Sequence, residues 1–248
     1  MIRYPSAVSK VAPHLAPAAA LADLTPTVAG DGLMVGRDRE SRPVTLRVLR
    51  PEPTRLLLVG GLPMAQLMVF RLVALGVQVI VQSLRPQEWA PFVHRTGIGP
   101  QLLIPAQPGE PIQVAPAGRS RAVVIDVGPV TGDYLRPVPA DVPALVVRHE
   151  VTAVDADLLT RVDAAIMQQL TPAEAAVAAP TTGLSEIEQW LTQIRPSMVA
   201  VLSQRTVRWV MLGPTDVEAG VVGPLDRFAY PVMTAPSVHP PAPARGPR

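Results

Sequence analysis

Residues 56–81 read LLLVGGLPMAQLMVFRLVALGVQVIV, an apolar run broken by glycine at two places. Leu56–Val59 has the length and composition of a buried strand, and Gly60-Gly61 ends it. From Leu62 the pattern turns helical. Pro63 suits the first helical turn, Met64 to Leu75 are good helix formers, and Gly76 stands where a left-handed C-cap falls. Val77–Val81 is β-branched and short, a second strand. The unit is therefore strand, Gly-Gly turn, helix, strand, which predicts a parallel sheet with a right-handed crossover. The helix is apolar nearly all round, so it is expected to be covered on most sides.

Working outward, Val44–Leu49 precedes the first strand across a turn with Pro51 and Pro53. Downstream strand candidates are Gln101–Ile104, Ile112–Val114, Ala122–Ile125 ending in Asp126, Ala144–Val147 and Ala164–Gln168. Leu158–Arg161 reads as a short helix. Thr171 with Glu174 forms a capping box for a helix over Pro172–Ala178, and Ser185 with Glu188 repeats the signal before a helix through Ile194. Val199–Leu202 and Val207–Leu212 flank Ser203–Thr206 as a hairpin. The expectation is an α/β fold, a mostly parallel twisted sheet flanked by helices, P-loop/RecA-like or Rossmann-like, with a C-terminal β-hairpin. Residues 1–30 read as a flexible lead-in, 31–230 as a single α/β domain, and 231–248 as a Pro-rich disordered tail.

Composition narrows the chemistry. The 248 residues include 30 Pro, 17 Gly and no Cys, with 48% hydrophobic and 17% charged residues. The missing cysteine removes disulfides, thiolate nucleophiles and cysteine-based metal centres together. Of the 22 basic residues Lys10 alone is a lysine, so no lysine after residue 10 can act as Schiff base, general base or phosphate ligand. The net charge of +2 comes with scattered arginines and gives no nucleic-acid stripe. Leu56–Phe70 is the most apolar run, 15 residues without charge, shorter than the roughly 20 residues of a membrane span. A cytoplasmic protein, at most peripheral to a membrane complex, is the expectation.

A strand ending in glycines and feeding a helix is a geometry that binds phosphate. A Rossmann site wants G-x-G-x-x-G and an acid after the second strand. Gly60-Gly61-Leu62-Pro63-Met64-Ala65 has other spacing, and Val81-Gln82-Ser83 carries no acid, although Arg85 could meet a 2′-phosphate. A P-loop wants G-x-x-x-x-G-K-[ST]. Counted from Gly60 the spacing fits, but Ala65-Gln66-Leu67 stands at its chemical positions.

The order of motifs resembles the motor domain of FtsK-like translocases, including the ATPase modules of type VII (ESX) secretion systems. Val35-Gly36-Arg37-Asp38-Arg39-Glu40-Ser41-Arg42-Pro43-Val44 is similar to that family's "G-R-D-x-x-G-x-P-V" entry strand, and Leu56–Gly61 sits at its P-loop strand. Arg121–Asp126 resembles a Walker B strand with its magnesium-binding Asp, and Pro143–Arg148 the sensor-bearing strand that follows. Thr160–Leu170, a helix, and the strand pair from Met198 follow the same C-terminal order. The resemblance places a nucleotide pocket at Gly60, Gly61, Gln66 and Asp126. It departs at each catalytic position: Gln66 stands for the lysine, Leu67 for the magnesium-binding hydroxyl, and Val127 follows Asp126 where a catalytic Glu would stand. Without lysine and hydroxyl the charge compensation for phosphoryl transfer is gone. The resemblance thus implies a pseudo-ATPase with no catalytic residue and no cofactor. Its partners would be other proteins, secretion-machinery subunits or further copies of itself.

Other constellations are thinner. His94 and His149 are the histidines inside the body of the chain. His149, Glu150, Asp155 and Asp157 could be imagined as metal ligands, but their spacing suits helix capping better. No G-x-S-x-G elbow occurs. Trp190 and Trp209 read as core, with a partner-facing patch as the alternative. A dinucleotide-binding enzyme of Rossmann type and a structural subunit burying the surface around those tryptophans are the competing readings.

Overall fold

The computed structural model describes residues 32–50, 52, 54–112, 120–128 and 138–229. The lead-in 1–30, the tail 231–248 and the latter part of the strand expected at Ile112–Val114 lie outside them, and Ile112 itself is not in a strand.

Ten strands form one sheet. They are β1 Leu33–Arg37, β2 Pro43–Leu46, β3 Arg55–Val59, β4 Gln78–Ser83, β5 Leu103–Ala106, β6 Arg121–Asp126, β7 Ala144–Arg148, β8 Ala164–Met167, β9 Met198–Ser203 and β10 Thr206–Met211. The helices are α1 Leu62–Ala74, α2 Pro86–Thr96, α3 Ala156–Arg161, α4 Pro172–Thr181, α5 Glu188–Leu191 and α6 Asp216–Val222. The spatial order is β2-β1-β10-β9-β8-β3-β7-β6-β4-β5. From β8 to β5 all neighbours are parallel. β9, β10, β1 and β2 extend the sheet antiparallel beyond β8.

The expected α/β sheet with a C-terminal hairpin is the one observed. Helices cover both faces, so the central strands β4, β6 and β7 are buried at every residue. Leu56, Leu58, Val124 and Val147 point to the face of α1, α2 and α6, whereas Leu57, Val59, Val123 and Val146 point to that of α3, α4 and α5. The period of two along each strand thus splits one apolar run between two cores. α1 buries Met64 through Val69, Leu72 and Val73, as its all-round apolar sequence requires. Gly76 adopts φ 78°, the left-handed step that ends the helix.

Two local expectations are corrected. Ser185 does not cap the helix toward Ile194: Leu184 occupies the N-cap of a 3-10 turn, Ser185–Ile187, and α5 ends at Leu191. Without a side-chain acceptor for the first N–H groups, the start tightens into that turn. Trp190 is not core, being 52% exposed, since Ile187 and Leu191 are the residues that this short segment turns inward. Trp209 is half-buried on β10, opposite Ala200.

Candidate functional site

The glycine turn lies at the carboxyl end of β3, between the ends of β7 and β8. The ladder pairs Val59 with Met167, so Gly60 and Gln168 come next side by side. Gly60 donates its N–H to the Arg148 carbonyl at 2.9 Å. Gly61 donates to Gln168 Oε1 at 2.8 Å. A Cβ on Gly60 would stand 2.6 Å from that same oxygen, so the amide side chain packs on bare backbone.

α1 begins at once. Gly61 is its N-cap, in extended backbone, and Pro63 falls in the first turn. The residues that spacing alone offered as a phosphate loop, Leu62 to Ala65, are therefore helix. Met64 and Ala65 donate to the Gly61 carbonyl at 3.1 and 3.3 Å, Pro63 has no N–H, and the Gly61 N–H is taken by Gln168. Leu62 is left alone among the first-turn N–H groups. A phosphate needs several converging donors at such a place.

The segment after α6 closes the site. Gln168 Nε2 donates to the Leu225 carbonyl, and the Arg227 Cα lies 3.4 Å from where a Cβ on Gly61 would be. Arg227 is 3% exposed. Its guanidinium donates to the Gln169 carbonyl at 2.6 Å, to the His149 carbonyl, and with both terminal nitrogens to the Glu174 carboxylate. Glu174 also accepts from Thr171 N at 2.7 Å and Val151 N at 3.0 Å. Burial pushes the Glu174 carboxyl up, but the hydrogen bonds from Arg227, Thr171 and Val151 outweigh it and hold the group below its ordinary value. Residues 223–229 thus form a strap anchored across the ends of β3, β7 and β8.

Gln66 is one turn inside α1 and buried, 3.5 Å from the Glu88 carbonyl. Leu67 is core. Asp126 ends β6, with β7 between it and β3, about 10 Å across the sheet at the usual strand spacing. Its Oδ1 accepts from Arg85 Nη2 at 2.8 Å, and its Oδ2 accepts from Arg85 Nε at 2.9 Å, Trp89 Nε1 at 2.6 Å and Ser83 Oγ at 3.1 Å. Burial works to lower the Arg85 pKa, yet the Asp126 contacts outweigh it and the guanidinium is held above its ordinary value. Of the four expected pocket residues, the structure brings Gly60 and Gly61 together and sets Gln66 and Asp126 apart from them. Arg85, which could have met a 2′-phosphate, is committed to Asp126.

Two of the four imagined metal ligands, Asp155 and Asp157, are likewise engaged. Asp155 accepts from Arg148 Nε at 2.9 Å and caps Thr152. Asp157 pairs with Arg161 at 2.7 Å. Among the described residues no group of three or more His, Asp or Glu could hold a metal ion, and no helix is long and apolar enough to cross a membrane.

Sequence reading missed Gln168, Arg227, Ser83 and Trp89 as site residues. α2, which carries Trp89, was signalled by Pro86 in its first turn and by Gly97, left-handed at its end. Neither Gln168 nor Arg227 has a local signal, since the side-chain hydrogen bonds that place them span 57 residues or more for Gln168 and 53 or more for Arg227.

Neither protein-family profiles nor curated protein sequences give a match to the chain. Solved structures do. VirB4 of Thermoanaerobacter pseudethanolicus is 10% identical over 77% of this chain and 98% of its own, with a TM-score of 0.55. The cytoplasmic domain of the Thermomonospora curvata type VII secretion ATPase EccC is 11% identical over 76% of this chain, with a TM-score of 0.46, and this chain spans 30% of its length. The genome packaging NTPase B204 from Sulfolobus turreted icosahedral virus 2, in complex with AMPPCP, is 10% identical over 65% of this chain and 97% of its own, with a TM-score of 0.47. The likeness to VirB4 speaks for the fold: the described sheet and its helices are α/β and P-loop ATPase-like.

Proposed function

We propose that this chain is a non-catalytic, ATPase-like scaffold module that docks protein partners within a secretion or translocation apparatus. One observation carries the reading: the N-terminus of α1, where a nucleotide's phosphates would sit, is filled by the chain itself. Gln168 takes the Gly61 N–H and the strap lies over the turn. Asp126 supports it, because both its oxygens are already occupied by Arg85, Trp89 and Ser83 and a magnesium ion would have to displace them. The partner class rests on the motif order, which resembles the motors of type VII secretion. Partners are subunits of such a machine or further copies of this chain.

The test is a thermal-shift titration with ATP, ADP and GTP, with and without magnesium, and with NADPH, alongside an ATPase assay. A ligand at 100 times its dissociation constant adds about 2.7 kcal/mol of stability. No shift and no phosphate release are expected. Hydrolysis abolished by Asp126→Ala would overturn the reading, and a shift with NADPH alone would move the protein to the dinucleotide-binding class.

A further inference from the structure

Of its two sides, β10 is paired along the whole of one and barely along the other. β9 runs antiparallel beside it, from Thr206 opposite Ser203 to Met211 opposite Met198. β1 meets its other side at Arg37 opposite Met211 and then turns away: Asp38 Oδ1 accepts from the N–H groups of Glu40 at 3.0 Å and Arg42 at 2.9 Å, and Ser41 adopts φ 63°. Among the described residues, 206–210 are thus left as an open sheet edge.

The direction of its backbone groups follows from the ladder. Along an antiparallel strand, residues bonded to the neighbour alternate with residues whose N–H and C=O point away from it. Leu212 donates to the Ser197 carbonyl at 2.9 Å, so Val210, Arg208 and Thr206, at steps of two, are bonded to β9. Met211, Trp209 and Val207 face the other way. The Met211 carbonyl is turned to β1, so close to Gly36 that a Cβ there would collide with it. Val207 and Trp209 have no such neighbour, and their N–H and C=O groups point into the open edge. Their side chains are half-buried on the face that α3, α4 and α5 cover elsewhere.

Sheet edges are guarded by proline, by bulges or by charge. β5 carries Pro105, and β2 begins at Pro43 and pairs with β1 through an irregular register. The open stretch of β10 has β-branched and aromatic residues with one charge, Arg208, which is exposed and has no ion pair among the described residues. That charge selects the occupant. Two copies paired about the middle of the stretch would set their Arg208 side chains directly opposite each other, which is destabilising. A foreign strand with an acid at that position gains a cross-strand ion pair instead, and its residues on either side lie beside Val207 and Trp209. We propose that the open edge of β10 takes up an extended segment of a protein partner as an added strand, with an acidic residue opposite Arg208 and apolar residues opposite Val207 and Trp209. In such strand addition main-chain hydrogen bonds supply affinity and alternate side chains supply specificity. The expectation of a protein partner rests on the scaffold reading above, but the edge shares no residue with the glycine turn, so peptide binding and nucleotide binding are decided separately.

The full chain is titrated with the peptide Ac-Ser-Thr-Val-Glu-Val-Thr-Ser-NH2 and followed by amide chemical shifts. Saturable binding is expected, with the largest shifts at the amides of Val207 and Trp209. The same peptide with both valines N-methylated cannot donate to the edge and should bind at least about tenfold weaker. A peptide with Lys in place of Glu should bind about fivefold weaker. Arg208→Glu should exchange that order, favouring the Lys peptide, and leave Tm within about 2 °C. Val207→Pro removes one outward N–H and no bond to β9, and should weaken binding about tenfold. No saturable binding, equal binding of the N-methylated peptide, or an unchanged order in Arg208→Glu would overturn the proposal. A dimer of the free chain in sedimentation that Val207→Pro disperses would put a second copy on the edge and overturn it as well.

Discussion

Two helices of this protein start with the same four-residue device, and the glutamates it positions serve different ends. At α4, Thr171 and Glu174 cap each other. At α6, Thr215 and Glu218 do the same, with Thr215 N donating to Glu218 Oε2 at 2.8 Å. Each glutamate then reaches an arginine, half-buried in one case and buried in the other. Glu218 meets Arg71 of α1, which also donates to the carbonyls of Val35 and Leu212 and so ties the antiparallel flank to the parallel core. Glu174 meets Arg227, which comes from a strap and fastens it over the glycine turn. The side chains of the first pair are 11% and 10% exposed, those of the second 2% and 6%. The same local chemistry thus secures the fold in one place and closes a site in the other, and the closing pair is the drier.

The largest effect should follow from Arg227→Gln. Removing one partner of a buried ion pair strands the other charge, at a cost of about 3–5 kcal/mol, and urea unfolding would measure it. That is a large share of the about 5–15 kcal/mol that holds a domain folded. Arg71→Gln should cost less, about 2–3 kcal/mol, because Glu218 keeps its cap and its side chain is slightly less buried than that of Glu174. If Arg71→Gln proves the more damaging, the strap is an appendage and the flank is the keystone, which reverses the comparison. The double variant Arg227→Gln with Glu174→Gln should recover part of the loss, since no buried charge is then left unpaired.

Asp126→Ala should have a smaller effect, about 1–2 kcal/mol by thermal unfolding, from the orphaned Trp89 N–H. Arg85, with its side chain 26% exposed, can turn to Glu88 and to water. Asp126→Asn should lie between this variant and the parent, as the amide oxygen still accepts from the indole. A loss as large as that of Arg227→Gln would mean that the sheet's carboxyl edge is pinned equally at both places.

Much of this architecture was legible because it is local. The β3, Gly60-Gly61, α1, β4 succession declares itself through a change of period and two helix punctuators, and the β9–β10 hairpin through its paired β-branched runs. The Thr171 box was read and the identical Thr215-x-x-Glu218 signal was not, although the same rule finds both. The site was harder for a physical reason. Pro63 marks a first helical turn, so Leu62 to Ala65 cannot also be a loop wrapped round a phosphate. Spacing counted from Gly60 satisfied one pattern while Pro63 satisfied the other, and the two exclude each other in space. What fills the site comes from β8 and from the strap, and no periodicity near residue 60 encodes Gln168 or Arg227.

The smallest expected effect separates the strap's two kinds of titrating neighbour. Glu174 is held below its ordinary carboxyl value, so its contribution is fully present above its unfolded pKa of about 4.3 and is lost as pH falls through the lower folded value. Between pH 5.5 and 7.5 it is constant. His149, whose carbonyl receives Arg227, is held below its ordinary value first by burial, then by the positive charges of Arg227 and Arg85, with Glu150 and Glu174 opposing. A base depressed on folding leaves stability intact above its unfolded pKa of about 6.5 and removes some as pH falls below it, because the unfolded chain then binds the proton more readily. Tm should therefore decline slightly from pH 7.5 to 5.5, and His149→Gln should flatten that decline while leaving the steeper loss below about pH 4. A decline unchanged in His149→Gln would take the imidazole out of the strap's environment. The pH dependence of the strap would then come from the Arg227 to Glu174 pair.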